Sequence, residues 1–334
     1  MDHISLAHGN GGRLMRELIE ELIARQLAGL LIDIESDAVA LDIDATDNQI
    51  MFTTDGFIVQ PLEFPGGDIG SLAIHGTVND LCVSGATPLY LSLNMFIEEG
   101  LPIAQLERLL TSMARAAHDC NIKIAAGDTK VVRRGEGSGL YLATTGVGIK
   151  PRSLQLGMSH INEGDAILVS GPLGNHGIAV MLAREEFGLR GDVSSDAASV
   201  LPLTRALLPL PGLHFMRDPT RGGLATVLNE VTRVTGMGIA IDSQQLPIND
   251  AVQVVCDMLG YDPLYLACEG RVVAIVSDDI KQQALQQWQA LPQGEQAAII
   301  GAVTRQHNRV TLRTELGGER ILEELEDDPL PRIC

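Results

Sequence analysis

Apolar residues recur at helical spacing near the start of the chain, at Leu14, Leu18, Leu22 and Ile23, behind the glycine-rich turn His8-Gly9-Asn10-Gly11-Gly12. A strand-like run, Ile50-Met51-Phe52-Thr53-Thr54, then leads directly into Asp55-Gly56. After the loop Pro65-Gly66-Gly67-Asp68-Ile69-Gly70, a helix is predicted from about Ser71, with Leu72, Ala73 and Val78 turned to the core and Asn79-Asp80 carried within it. A strand over 91–97 precedes an amphipathic helix marked by Ile103, Leu106, Leu110, Met113 and Ala117 and ending near Asn121. The strand predicted next, over 122–126, stops at Gly127-Asp128-Thr129-Lys130, and a strand over 140–149 closes this half. Beyond a boundary at about 150–163, the pattern predicts a strand over 166–170, a glycine-rich loop over 171–177, a helix over 178–187 and an exposed loop over 188–200. A turn, Arg217-Asp218-Pro219-Thr220-Arg221-Gly222-Gly223, opens a helix with Leu224, Val227, Leu228 and Val231 on one face, and strands follow over 271–276, 298–303 and 310–312. Residues 30–48 and 280–297 carry no recognisable signal. Strands interleaved with helices on both sides of one boundary predict an α/β chain of two domains.

Composition narrows the partners. A net charge of −19 argues against nucleic acid or an anionic membrane, and it means that a bound nucleotide would need a divalent cation and local N–H groups to offset the field. Cysteines at 82, 120, 256, 268 and 334 form no CxxC pair and are odd in number, which suggests reduced thiols. With no signal peptide and no apolar run of membrane-spanning length, the expectation is a soluble, cytoplasmic protein.

The chemistry is narrowed mostly by what is missing. The P-loop, dinucleotide-binding, nucleophile-elbow and zinc-protease motifs are all absent, and the loop over 171–177 resembles a phosphate cradle without the P-loop lysine. Three aspartates remain: Asp55 and Asp128, both predicted at strand ends, and Asp80 on a helix; hard carboxylate donors suit Mg²⁺ and phosphate oxygens. Lys130 is one of only four lysines and reads equally as a surface salt bridge. Glu269, in apolar surroundings, reads as a base with a raised pKa or as a buried, hydrogen-bonded glutamate. Arg221 has two readings of similar weight, an anion contact and a pair with Asp218. The final six residues, Pro329-Leu330-Pro331-Arg332-Ile333-Cys334, follow the acidic run 323–328 and are expected to form a stiff, mobile arm with a thiol at its tip.

In these motifs, and in Gly76-Thr77-Val78-Asn79-Asp80, Glu269-Gly270 and Pro331-Arg332-Ile333-Cys334 above all, the sequence resembles the HypE family of hydrogenase maturation factors. That family lies within the superfamily of aminoimidazole ribonucleotide synthetase, selenophosphate synthetase and thiamine-monophosphate kinase. The resemblance implies an α/β (α+β), two-domain aminoimidazole ribonucleotide synthetase-like fold. It divides into an ATP-binding and dimerisation domain over 1–150, a C-terminal α/β domain over 151–318 and a mobile tail over 319–334. It implies a homodimer whose terminal Cys334 is carbamoylated by HypF, then dehydrated with ATP to an S-cyanate whose cyanide passes to iron held by HypC and HypD. Asn10, Gly11, Gly12, Asp55, Asn79, Asp80, Gly127, Asp128 and Thr129 would bind the nucleotide, with Asp55, Asp80 and Asp128 holding Mg²⁺. Lys130 and Glu269 would meet the arriving carboxamide. The arm would be mobile without nucleotide and docked with it.

Overall fold

The computed structural model describes residues 12–24, 36–184, 191–325 and 333–334. The N-terminal half contains helix α1 (Gly12–Glu17), continued by a π-helical segment at Leu18–Ala24, and strands β1 (Val39–Ala45), β2 (Asn48–Phe57), β3 (Glu63–Phe64) and β4 (Gly67–Asp68). Helix α2 (Ile69–Val83), β5 (Thr87–Glu98), α3 (Ile103–Asp119), β6 (Lys123–Val132) and β7 (Leu140–Pro151) complete it. Five strands pair in the order β1-β2-β7-β5-β6, antiparallel except for β5 and β6. Burial alternates along β7, with Leu140, Leu142, Thr144 and Gly146 on the covered face. α2 lies on that face, and Gly146 admits it: a Cβ there would meet Thr77 Cγ2 at 2.8 Å. Asp68 starts α2, accepting the N–H groups of Gly70 and Ser71 in a capping box. α2 is apolar on nearly every side because the sheet, α3 and the C-terminal domain enclose it. The opposite face of the sheet is open, and Tyr90 and Phe96 of β5 are exposed on it.

The C-terminal half contains β8 (Ala166–Val169), α4 (Asn175–Ala183), α5 (Leu201–Leu207), β9 (Leu213–Arg217), α6 (Gly223–Thr235), β10 (Gly238–Asp242) and α7 (Asp250–Leu259). It continues with β11 (Val273–Val276), α8 (Lys281–Gln289), β12 (Ala298–Thr304), β13 (Val310–Arg313) and β14 (Glu319–Ile321). Its seven-stranded sheet has the order β14-β13-β10-β12-β8-β11-β9. The inner strands β8 and β11 are buried along their whole length, as continuous apolar runs require when both faces are covered. Ile167, Val169, Val273 and Ile275 meet Leu224, Leu228 and Val231 of α6 in one cluster. Leu168, Ala274 and Val276 join a second cluster with Ile178, Leu203 and Trp288, and this one continues through Leu72, Ile74 and Leu109 of the N-terminal domain. The two domains therefore share one apolar core. Among the described residues no helix is long and apolar enough to cross a membrane.

Four expectations need correction. β6 runs through Gly127-Asp128-Thr129-Lys130 to Val132, so Asp128 is mid-strand. Residues 191–200 are not an exposed loop: Val193 and Val200 are buried, and the segment straps the domains together, with Ser195 N–H donating to Pro65 O at 2.8 Å and Ala198 N–H to Glu269 O at 3.3 Å. The segment over 280–297 holds α8, anchored by the buried Trp288, whose Nε1 donates to Leu203 O at 3.0 Å. The C-terminal sheet extends past 318, because β14 pairs with β13 and Leu322 is fully buried behind it.

Candidate functional site

Asp37 enters β1 from one side of the domain boundary, Asp55 projects from β2 on its α2 face, Asp80 sits in the last turn of α2 and Asp218 follows β9. Carboxylate oxygens of Asp37, Asp80 and Asp218 all lie within 4.8 Å of one another. Thr53 Oγ1 donates to Asp80 Oδ2 at 2.7 Å. Arg217 pairs with Asp37 at 2.8 Å and with Glu230, and Arg221 Nη2 lies 3.9 Å from Asp55 Oδ1. These cations do not balance the carboxylates. Burial, then the charges of Asp218, Asp37 and Asp55, hold the Asp80 carboxyl well above the usual carboxylate range. Burial likewise raises Asp55, and burial with the charge of Asp37 pushes Asp218 up to about 7.

Glu269 completes the group from the loop before β11. It is 2% exposed, and its Oε1 finds no hydrogen-bond partner among the described residues. Burial first, then Asp218, Asp196 and Asp55, raise its pKa well above the ordinary value, while Arg221 opposes them. A buried pocket of oxygen donors with excess negative charge fits a divalent cation such as Mg²⁺.

Two cavities meet at Asp37 and Arg217. One, of about 340 Å³, runs between the domains to Lys150, Arg152 and Gln155. Lys150 is 8% exposed, and burial lowers its pKa. The other, of about 230 Å³, is lined by Gly12, Arg16, Arg221, Thr226 and Arg233. Just past the end of β2, Ile58 N–H donates to Cys334 O at 3.1 Å, and His176 Nε2 lies 2.8 Å from Ile333 O. Ile333 is buried and Cys334 half-buried, so the tip of the expected arm is docked at the domain junction; residues 326–332 lie outside the described residues.

The family models for the AIR synthase related protein N-terminal and C-terminal domains match residues 35–150 and 162–313. Carbamoyl dehydratase HypE of Azotobacter vinelandii is 42% identical over 333 residues, 99% of this chain and 97% of that protein. Its counterpart in Escherichia coli K12 is 41% identical over 337 residues, the full length of both. The chain belongs to the HypE family. Among solved structures, HypE in a HypE–HypF complex matches with a TM-score of 0.87 at 41% identity, over 92% of this chain and 99% of that one. HypE in complex with ATP matches with a TM-score of 0.82 at 39% identity, over 99% and 100%. Aquifex aeolicus thiamine monophosphate kinase, at 17% identity and a TM-score of 0.68, shares the fold.

In this HypE-family chain the expected Asp55–Asp80–Asp128 triad does not assemble within one protomer. Asp55 pairs across β7 with Thr144, Thr144 with Leu93 and Leu93 with Gly127, so three strand spacings, roughly 14 Å, separate β2 from β6. Asp128 stands opposite Asn94, one residue out of phase with Leu93, and therefore on the open face, whereas Asp55 is on the covered one. Lys130 forms a surface pair with Asp128 at 2.7 Å, and Gly127 and Thr129 are exposed beside them. Asn79 is buried and spent on structure: its Nδ2 donates to Ala198 O and Glu269 O, and its Oδ1 accepts from Val200 N–H at 2.9 Å. Arg221 faces Asp55. Gly12 lines the smaller cavity; Asn10 and Gly11 lie outside the described residues. Two members of the cluster escaped the sequence reading. Asp37 lies in a stretch with no pattern, and the sequence offers Asp218 only as a partner for Arg221, although it directly follows a strand ahead of glycines.

Proposed function

We propose that this chain is an ATP-dependent carbamoyl dehydratase acting on the S-carboxamide of its own Cys334 and forming a thiocyanate that supplies the cyanide ligands of [NiFe]-hydrogenase iron. One observation carries the reading: the Cys334 segment is seated at the end of β2, on the residue after the strand whose Asp55 lies beside the carboxylate cluster. Relatives named carbamoyl dehydratase, and one solved with ATP, support it.

The reaction removes an oxygen and two hydrogens from the amide. ATP would supply the phosphoryl group that makes the amide oxygen a leaving group, with Mg²⁺ offsetting its charge, so that the products are nitrile, ADP, phosphate and a proton. Asp37, Asp80 and Asp218, with Asp55 nearby, would hold the cation. Lys150 and Arg152 line the larger cavity and offset nucleotide charge. Glu269 takes the amide proton. Asp218 and Asp55 are among the charges that keep it protonated, so neutralising them prepares it to act as a base.

Lys130 and Asp128 reach such a site only across a homodimer. The open face of the N-terminal sheet, with Tyr90 and Phe96 exposed, supports an interface there. Lys130 from the opposing protomer then stabilises charge developing on the amide oxygen. HypF, seen with a relative, is the loading partner, and HypC–HypD receives the cyanide. The test is mass spectrometry of the peptide containing Cys334, after incubation with a carbamoylating system and Mg·ATP. Loss of one water from the carbamoylated peptide is expected; a carbamoyl group that persists while ATP is present refutes the proposal.

A further inference from the structure

The glycine-rich loop before α4 has the composition of a phosphate cradle, but three of its N–H groups are committed. Leu173 N–H donates to Pro247 O at 2.9 Å, Gly174 N–H to Cys268 Sγ at 3.2 Å and Gly177 N–H to Ala267 O at 3.2 Å. What the loop presents instead is one fully buried side chain, His176.

The ring is fixed on three sides. Its plane stands at 86° to Phe64 of β3, with centroids 5.4 Å apart. Nδ1 is 2.8 Å from Ser195 Oγ, and Nε2 is 2.8 Å from Ile333 O. A carbonyl can only accept, so Nε2 carries the proton. Nδ1 then accepts from the Ser195 hydroxyl, whose oxygen in turn accepts Ala197 N–H at 3.0 Å. Burial lowers the pKa of His176, consistent with a neutral ring in this tautomer. Ser195 is itself held from the N-terminal domain, its N–H donating to Pro65 O. A Cβ on Gly66 would meet Ser195 N and O at 2.7 Å, so that turn must approach closely.

We propose that His176, oriented by Ser195, is a positioning residue: it donates from Nε2 to the Ile333 carbonyl and, together with the Ile58 N–H on Cys334 O, forms the dock that seats the Cys334 thiol beside the active site. The dock rests on the reading above only in its purpose, since the contact itself requires no catalysis. Two backbone oxygens in succession, of Ile333 and Cys334, are held from opposite domains, by α4 and by Ile58 just past β2. Ser195 adjoins Asp196, whose Oδ1 accepts Glu269 N–H at 3.3 Å, so the same strap that orients His176 also orients the proposed base.

The experiment measures alkylation of Cys334 by a bulky maleimide in the full-length chain, read by mass spectrometry of its peptide. The other four cysteines are buried. Wild type is compared with His176→Ala, His176→Gln and Ser195→Ala. Losing a buried donor opposite the Ile333 carbonyl is expected to speed alkylation about five- to thirty-fold in His176→Ala. Glutamine, whose amide reaches where Nε2 stands, is expected to stay within about two-fold of wild type, and Ser195→Ala to accelerate about three-fold. Wild-type rates in a folded His176→Ala protein would overturn the proposal, as would equal acceleration in His176→Gln. If His176→Ala does not fold, a wild-type rate in Ser195→Ala does the same. Because alkylation needs no turnover, this outcome is readable even if the dehydratase reading fails. Where that reading holds, single-turnover dehydration slows by the same factor in His176→Ala while ATP affinity is unchanged.

Discussion

Replacing Asp218 with asparagine should stabilise the metal-free protein, and it should do so more at pH 8 than at pH 5. Asp218 is 4% exposed, and its carboxyl is pushed up to about 7 by burial and by Asp37. The unfolded chain ionises this group at an ordinary aspartate pKa, near 4. Between those values the unfolded state binds fewer protons than the native state, so native stability falls as pH rises toward 7. At about 1.4 kcal/mol per pH unit, an ionised Asp218 costs the folded state about 4 kcal/mol at pH 8. Asp80 and Asp55 share the same repulsion, so a single substitution should recover about 2–4 kcal/mol at pH 8 and under about 2 kcal/mol at pH 5. Urea unfolding in a chelator at the two pH values measures both numbers. Excess Mg²⁺ should stabilise wild type at pH 8 and leave Asp218→Asn nearly unmoved, because one oxygen anion of the cluster is gone. A variant no more stable than wild type at pH 8, or equally stabilised at both pH values, would show that the carboxylates are compensated and that the pocket has no need of a cation.

Glu269→Gln should leave the urea midpoint within about 1 kcal/mol of wild type, since the native glutamate is held neutral, yet slow dehydration at Cys334 at least a hundredfold; mass spectrometry of single-turnover samples checks this. Lys130→Ala should not alter stability, because its pair with Asp128 is exposed, but should abolish turnover. Mixing it with inactive Asp80→Asn protein should restore part of the activity if sites are completed across the dimer, and no recovery would refute that arrangement. Asn79→Ala should cost about 3 kcal/mol by leaving Ala198 O, Glu269 O and Val200 N–H short of a partner, and limited proteolysis should then cut within 191–200.

Much of this architecture can be read from periodicity, and the failures have physical causes. α3 is legible because its apolar residues recur at 3.6-residue spacing, and α2 because Asp68 and Ser71 mark its start ahead of a long apolar run. α8 was not: only Ala284 and Trp288 are buried, too few to make a stripe. The strap over 191–200 is small and polar, the composition of an exposed loop. It is internal because Asn79, Glu269 and Pro65 satisfy its backbone, a tertiary fact no local window contains. Asp80 was identifiable as a carboxylate within an apolar helix, a position that needs a partner. Asp37 has no local signature; its place depends on Arg217, far away in sequence, bridging it to Glu230. Asp128 misled because Gly-Asp at a predicted strand end resembles Asp-Gly at another, and only the register reveals that the two aspartates occupy opposite faces of one sheet.

The charge distribution across the boundary explains why the site sits where it does. Asp37, Asp55 and Asp80 belong to the N-terminal domain, Asp218 and Glu269 to the C-terminal one, and the charges of Asp218 and Asp55 both raise the pKa of Glu269. Moving the domains apart would relieve that repulsion and expose each carboxylate to water. The junction holds because the apolar core is continuous from Leu72 and Leu109 to Leu168 and Trp288, and because Asn79 fastens the strap. Apolar burial thus keeps like charges together, and it follows that a cation at the cluster should tighten the junction itself, protecting the amide protons of Val200 and Glu269 from exchange more than those of the distant β13 and β14.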